Sequence, residues 1–231
     1  MDAEELAAER LDYAAQRLLE EEAGPDPLAL FERWLEDAFA EKDAGRLLEP
    51  SAMVLATVAV AADGTPVPRA RTVLLKAVTA GTFTFFTHYD SAKGREIAAH
   101  PRVALQFHWT SLFRAVRITG TAVRVPRAVS EEYFATRPLG SQIGAWASAQ
   151  SEPIASADAL QQAYAAAAAR FPVAADGTAQ VPCPPGWGGY AVTPSELEFW
   201  QGRPSRLHDR LRYRRAETAA GSAWHRERLQ P

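Results

Sequence analysis

The chain has 231 residues, 47% of them hydrophobic and 23% charged, with a net charge of −3. That profile excludes a disordered tail, a fibre and a bundle of membrane helices, since no apolar run approaches the ~20 residues a spanning helix needs. The acidic, polar start is not a secretory signal, and the single Cys183 can form neither an internal disulfide nor a zinc site alone, so a reducing cytoplasm is the expected compartment.

In chain order, residues 1–45 read as a helical segment ahead of one domain spanning 46–231. Leu6, Arg10, Tyr13, Arg17 and Glu20 keep helical spacing until GPDP (24–27) breaks it. A second amphipathic helix from about Leu28 to Glu41 turns Leu28, Phe31, Trp34, Leu35 and Ala38 inward. The period then changes to strands at Ala52–Val60 and Pro68–Lys76, joined by an Asp63-Gly64 turn. Thr82–Thr87, Val103–Trp109 and Phe113–Val123 continue the β pattern, with a short helix over Ser91–His100 closed by Pro101. Three helices follow, at Ser130–Thr136, Ser141–Ala149 and Ala157–Arg170. A Pro- and Gly-rich loop runs from Pro172 to Gly189, and β pattern resumes from Tyr190 to about Tyr213. Six or seven mostly sequential strands predict a mainly β fold with helices (α+β), an antiparallel barrel with helical decoration. The order is wrong for a doubly wound parallel sheet.

No dinucleotide fingerprint, phosphate-binding P-loop, zinc-protease helix or nucleophile elbow is present, and the five histidines lack metal-ligand spacing. The chemistry-bearing residues are instead suited to anions. In Arg206–Arg215 the even positions share one face if the segment is extended, giving four Arg and a His that fit either an anionic ligand or a solvated edge strand. Tyr133 and Arg137 share a helix face with Ser130 as N-cap, and Ser141 opens the next helix, where free N–H groups accept phosphate. A capping serine and an ion-pairing arginine explain the same residues. Arg71 and Lys76 differ in strand parity, so they serve two ligands or flank a bulge. Lys93 sits at a helix start, an anion site or simply an exposed lysine. Three such stations, with Gln150-Ser151 beyond a helix, point together to a phosphorylated cofactor or substrate.

The same residues carry a resemblance. Arg10-x-x-Tyr13, Glu49–Thr57, Arg71-Thr72-Val73-Leu74-Leu75-Lys76, Phe86-Thr87, Ser91-Ala-Lys93-Gly94, Tyr133–Ser148, Gln150-Ser151, Trp187-Gly-Gly-Tyr190, Glu198–Arg203, Arg206-Leu-His208-Asp-Arg210 and the terminal Arg228-Leu-Gln-Pro231 stand in one order. This pattern closely resembles the pyridoxamine/pyridoxine 5′-phosphate oxidases over nearly the whole chain. The resemblance implies an FMN-binding split β-barrel and a homodimer with two flavins at the subunit interface. It implies oxidation of pyridoxamine or pyridoxine 5′-phosphate to pyridoxal 5′-phosphate, with O₂ as acceptor and H₂O₂ as product. It assigns Arg71, Thr72, Val73, Leu74, Leu75, Lys76, Phe86, Thr87, Lys93, Gln150, Ser151, Trp200 and Arg210 to FMN. Lys76, Tyr133, Arg137 and Ser141 take the substrate phosphate, Arg206 and His208 sit over the pyridine ring as the catalytic pair, and Arg10 with Tyr13 closes on the site. No metal, nucleic acid or membrane is implied.

Two positions depart from the family pattern: Ala92 stands where an arginine often precedes the lysine, and Ala115 where a glutamine often contacts flavin. The rival readings are a related flavin oxidase acting on a larger ring, of the phenazine-pathway type, and a non-catalytic flavin or pyridoxal-phosphate carrier. Lys76, Tyr133, Arg137 and Ser141 favour the phosphate-gripping oxidase over the first. Binding of nucleic acid through the arginine-rich strand conflicts with the net charge and the lack of interleaved aromatics.

Overall fold

The computed structural model describes residues 2, 13, 16–172, 179–218 and 221–231. The first expected helix lies mostly outside them, as does Arg10; only α1, Glu20–Ala23, is seen. Helix α2 is Pro27–Asp43, begun by Asp26, whose carboxylate accepts from the Leu28 N–H at 2.9 Å, with Pro27 at the first helical position. It buries Leu30, Phe31, Trp34 and Ala38, while Leu28 and Leu35 are only half-buried. The inward stripe is therefore rotated from the expected one.

Among the described residues nine strands follow: β1 Ala52–Val60, β2 Pro66–Leu74, β3 Ala77–Thr79, β4 Thr82–His88, β5 Arg102–Trp109, β6 Arg114–Arg124, β7 Trp187–Gln201, β8 Asp209–Thr218 and β9 Gly221–Leu229. Helix α3, Ala92–Ala99, separates β4 from β5. Helices α4 (Arg127–Ala135), α5 (Leu139–Ala147) and α6 (Ala157–Ala169) separate β6 from β7. The sheet order is β2-β1-β5-β6-β7-β4-β3, with β8 on β7 and β9 on β8. β7 pairs antiparallel with β4 along its first half (Trp187 opposite His88) and with β8 along its second (Trp200 opposite Arg210). The single β run expected over 190–213 is thus two strands broken at Gly202–His208, and β3 and β9 are additions to the expected set.

Two compact units emerge. The first holds the described residues through Val54, with Leu105–Thr119 and Pro194–Pro231. Its core sets Phe31 against Phe107 at 5.1 Å and Trp34 against Phe199 at 5.2 Å, both edge-to-face. The second holds Leu55–Ala104 and Gly120–Thr193. There α4, α5 and α6 enclose Phe134, Ile143, Ala145 and Ala167 with Trp187. Among the described residues no helix is long and apolar enough to cross a membrane, and no cluster of His, Cys, Asp and Glu could hold a metal ion.

Three local expectations are corrected. Ser130 is not an N-cap: α4 starts at Arg127 behind Pro126, and the buried Ser130 hydroxyl accepts from the Gly189 N–H at 3.2 Å. Arg137 is not on the helix face of Tyr133 but one residue past the C-cap Thr136. Ser141 is the third residue of α5, which starts at Leu139, so its N–H is already bonded to the Pro138 carbonyl at 2.8 Å. In both helices the proline, with its fixed φ and missing N–H, sets the start ahead of the serine.

Candidate active site

The second unit contains a cavity of about 620 Å³. Its walls come from Thr72–Leu74 of β2, Lys76 beyond that strand, Phe86–His88 at the end of β4, Lys93 of α3, Tyr133 of α4, Arg137 and Pro138 between α4 and α5, Ser141 of α5, Gln150 and Trp187. Three cations line it, and among its described lining residues there is no carboxylate. Charge of one sign in a concave site attracts the opposite sign.

Each cation is delivered by local structure. Ser91 caps α3, its hydroxyl accepting from the Gly94 N–H at 3.3 Å and donating to the His88 carbonyl at 2.6 Å. That cap fixes Lys93 in the first helical turn, and Gly94 lets the helix approach β4. A Cβ at Gly94 would lie 2.1 Å from the Tyr89 carbonyl oxygen. Lys93 is only 9% exposed. Its ammonium donates to Gln150 Oε1 at 3.0 Å, and that oxygen also accepts from the Thr87 hydroxyl at 2.9 Å. Burial pushes the Lys93 ammonium below its ordinary pKa and Arg71 adds to the shift, with Glu96 opposing. Lys76 leaves β2 after Leu74, its N–H bonded to the Thr84 carbonyl at 2.8 Å.

Arg137 gives the sharpest signal. Its guanidinium lies over Trp187 at 4.8 Å and Phe134 at 5.4 Å. Its Nη1 is buried with no hydrogen-bond partner. Burial lowers its pKa, with Tyr133 and Cys183 opposing. A buried guanidinium donor left unpaired is costly, and on an acid-free cavity an anion is the partner it lacks. Beside it the rings of Phe86, Tyr133 and Trp187 lie nearly parallel, Phe86 4.0 Å from Tyr133 (19°) and 5.3 Å from Trp187 (11°).

Arg71, unlike Arg137, has hydrogen-bond partners within the protein. It bonds the Thr57 hydroxyl and pairs with Glu96 at 2.7 Å, and Thr57 donates to the same Glu96 oxygen at 2.5 Å. Burial raises the Glu96 pKa, but the hydrogen bonds from Thr57 and Arg71 outweigh it and hold the carboxyl below its ordinary value. The opposite parity of Arg71 and Lys76 is thereby explained: one faces an internal carboxylate, the other the cavity. Leu75 is buried and does not line the cavity, and Ser151 is exposed at φ +75°.

The remaining expected residues belong to the first unit. Tyr13 packs edge-to-face on Phe113 (5.2 Å), Trp200 (5.8 Å) and His208 (5.5 Å). His208 Nδ1 accepts from the Arg203 N–H at 3.1 Å, so the neutral ring keeps its proton on Nε2. Burial, then Arg206, lowers the His208 pKa. Ser205 and Arg206 both hold left-handed conformations, φ +58° and +59°, in the turn before β8. Two such non-glycine residues in succession mark a strained segment. Trp200 lines a hollow of about 290 Å³ with Gln106, His108, Ala115, Arg117 and Glu198.

The arginine face expected over 206–214 is largely neutralised. Arg210 makes two bonds to the buried Glu198, at 2.9 and 2.7 Å, and Arg117 pairs with the same carboxylate. Arg212 and Arg214 both pair with Glu227, at 2.9 and 2.8 Å. Arg206 lies outside the strand. Sequence reasoning missed His88, Thr136, Ser148 and Trp187 on the cavity wall. Thr136, Ser148 and Trp187 lay inside motifs, Tyr133–Ser148 and Trp187-Gly-Gly-Tyr190, that gave them no role, and His88 lay in none.

An antiparallel β protein with an acid-free cationic cavity walled by aromatic rings defines a class, a binder of small anionic aromatic ligands. The comparisons narrow it. The family model described as pyridoxamine 5′-phosphate oxidase matches residues 39–171, and the model of the pyridoxine 5′-phosphate oxidase C-terminal dimerisation region matches residues 187–231. Proteins named pyridoxine/pyridoxamine 5′-phosphate oxidase from Rubrobacter xylanophilus and Thermosynechococcus vestitus are each 51% identical. They cover 98% and 96% of this chain, and 97% of their own length in both cases. The crystal structure of PhzG from Burkholderia lata 383, in complex with tetrahydrophenazine-1-carboxylic acid, superposes with a TM-score of 0.79. It is 29% identical and covers 94% of this chain and all of its own. A pyridoxamine 5′-phosphate oxidase-related, FMN binding protein from Nostoc punctiforme, 16% identical, shares the fold at a TM-score of 0.61, covering 85% of this chain and 96% of its own. The chain belongs to the pyridoxamine 5′-phosphate oxidase family, and its fold is that family's antiparallel split barrel with peripheral helices.

Proposed function

We propose that the chain is an FMN-dependent oxidase converting pyridoxamine or pyridoxine 5′-phosphate to pyridoxal 5′-phosphate with O₂, working as a cytoplasmic homodimer. The observation that carries this reading is the unpartnered Arg137 Nη1 on a cavity that holds Lys76 and Lys93 and, among its described lining residues, no acid. Kinship supports the same reading: the 51% identical relatives bear the name of this activity.

Bound FMN would supply the redox chemistry, a two-electron oxidation at the substrate's C4′ carbon with O₂ as final acceptor and H₂O₂ as product. The donor set fits it: Lys93 and Gln150 offer an ammonium and an amide, and Phe86 a ring face. In this assignment Lys93, Thr87, Gln150 and the Thr72–Leu74 backbone hold the flavin, with Trp200 and Arg210 contributing from the C-terminal strands. Lys76, Tyr133, Arg137 and Ser141 grip the substrate phosphate, and their contribution is proximity and orientation rather than proton transfer. His208 donates from Nε2 and Arg206 adds a positive charge, and together they orient the pyridine ring. With the amine substrate, water replaces nitrogen at C4′ and releases ammonia; with the alcohol, the aldehyde forms directly. Arg10 and Tyr13 are assigned to covering the substrate.

The experiment compares phosphorylated with unphosphorylated substrate. Oxygen uptake with pyridoxamine 5′-phosphate should exceed that with pyridoxamine by orders of magnitude in kcat/KM, because the cavity's cations act on the phosphate. Equal rates on the two would remove the reading's basis.

A further inference from the structure

His88 closes β4 and lines the cavity, yet neither the sequence motifs nor the assignment above gives it a role. Its ring makes no hydrogen bond to any described residue; only its backbone groups do, the carbonyl to Ser91 and the N–H to Gln150 at 3.5 Å. Charged groups face it from three elements: Arg137 from the α4–α5 link, Lys93 from α3 and Asp90 from the β4–α3 turn. Lys76 and Tyr133 line the same cavity. The charge favoured on an imidazole so placed depends on whether the cavity holds an anion. With no anion present, a proton on it would add a fourth positive charge to a partly buried cluster of three. With a phosphate dianion present, the same proton becomes a further charged donor.

We propose that His88 is a proton-coupled ligand of the bound phosphate monoester: neutral in the free cavity, it takes up a proton as the phosphate enters and donates to it. The inference rests on the reading that this cavity takes phosphorylated ligands. Burial lowers the pKa of the ring, with Arg137 and Lys93 adding to the shift and Asp90 opposing, which agrees with a neutral free state. An entering phosphate reverses the sign of the nearest field and raises it again. Below the raised value binding gains a charged hydrogen bond; above it, the bond is neutral and weaker. Phosphate affinity through His88 therefore strengthens as pH falls.

Two phosphate sources share this chemistry, the flavin and the B6 substrate, and two titrations separate them. Flavin-loaded wild type and His88→Gln are titrated with pyridoxal 5′-phosphate from pH 6 to 9, and the flavin-stripped pair with FMN. Taking the ratio of variant to wild-type Kd at each pH cancels the ligand's own titration. The expected ratio is about tenfold at the acid end, one charged hydrogen bond's worth, falling toward one at the alkaline end, in the arm whose phosphate His88 meets. A ratio that is flat with pH in both arms, whether near one or uniformly raised by misfolding or lost packing, overturns the proposal while leaving the oxidase reading intact. Failure of wild type to bind either ligand overturns both.

Discussion

Arg137 and Lys93 are both cations on one cavity, but their surroundings differ in a way that separates their duties. Lys93 already has a protein partner in Gln150, whereas Arg137 leaves Nη1 unpaired. Removing Arg137 deletes a charged donor whose Nη1 has no partner in the protein, a loss of about 1.5–3 kcal/mol in substrate binding. Arg137→Ala should raise the KM for pyridoxamine 5′-phosphate roughly 10- to 100-fold with flavin content near wild type. Lys93→Ala should lower flavin occupancy and leave the KM of the loaded fraction little changed. Flavin content and steady-state kinetics on both variants check the division, since a general loss of stability would lower both quantities together. Ala92 and Ala115 belong to the same scale. Ala92→Arg beside Lys93 and Ala115→Gln beside Trp200 should each tighten FMN binding, read by fluorescence titration; unchanged affinity in both would mean existing donors already suffice.

Among the elements, the C-terminal hairpin shows best what a one-dimensional reading can reach. Strand β1 was legible to the residue because its apolar run stands between turn signals. Helix α6 was legible because its alanine-rich stretch ends at Arg170. Strand β9 was not: its sequence, Gly-Ser-Ala-Trp-His-Arg-Glu-Arg-Leu, has no apolar alternation. It is held by cross-strand partners such as Glu227 against Arg212, which only the fold brings opposite. The two readings of the arginine face, ligand site or edge strand, stayed open for the same reason. Arginines are visible in a sequence, but the carboxylates that neutralise them, Glu198 and Glu227, lie on other strands. His88 was invisible because a cavity wall assembled from several separate segments has no period. The family motifs, by contrast, made Lys76, Tyr133, Arg137 and Ser141 legible before any geometry, and the structure brings these four onto one cavity.

The same hairpin carries an acid-sensitive link. Arg228 of β9 bonds both Glu20 oxygens at 2.6 and 2.8 Å, Asp209 at 2.7 Å and the Leu18 carbonyl at 2.7 Å. The Arg228 hydrogen bond holds the Glu20 carboxyl down at about 2, against an ordinary 4.5. A carboxyl lowered on folding stabilises the protein above its unfolded value, and that contribution fades as pH falls from 4.5 toward 2. Glu20 is 43% exposed, so solvent screening keeps the contribution to about 1 kcal/mol or less. Glu20→Gln should therefore flatten the acid limb of stability against pH by that small amount, while Arg228→Ala, which strips four bonds at once, should lower the urea midpoint at neutral pH as well.

For the whole molecule, the match of residues 187–231 to a C-terminal dimerisation region sets an expectation for assembly. Light scattering on flavin-loaded protein should give about twice 25.2 kDa. A flavin-loaded monomer would contradict the dimeric reading. On the proposed function, an FMN held by this chain is reduced by a phosphorylated B6 substrate gripped in the Arg137 cavity. The measurement that tests it most directly is the visible spectrum of the purified, FMN-loaded protein under anaerobic conditions as pyridoxamine 5′-phosphate is added. The account predicts that the yellow flavin band bleaches, that pyridoxal 5′-phosphate forms in proportion, and that admitting O₂ restores the colour. A protein that stays colourless with excess FMN, or keeps an unbleached band with saturating substrate, would contradict it.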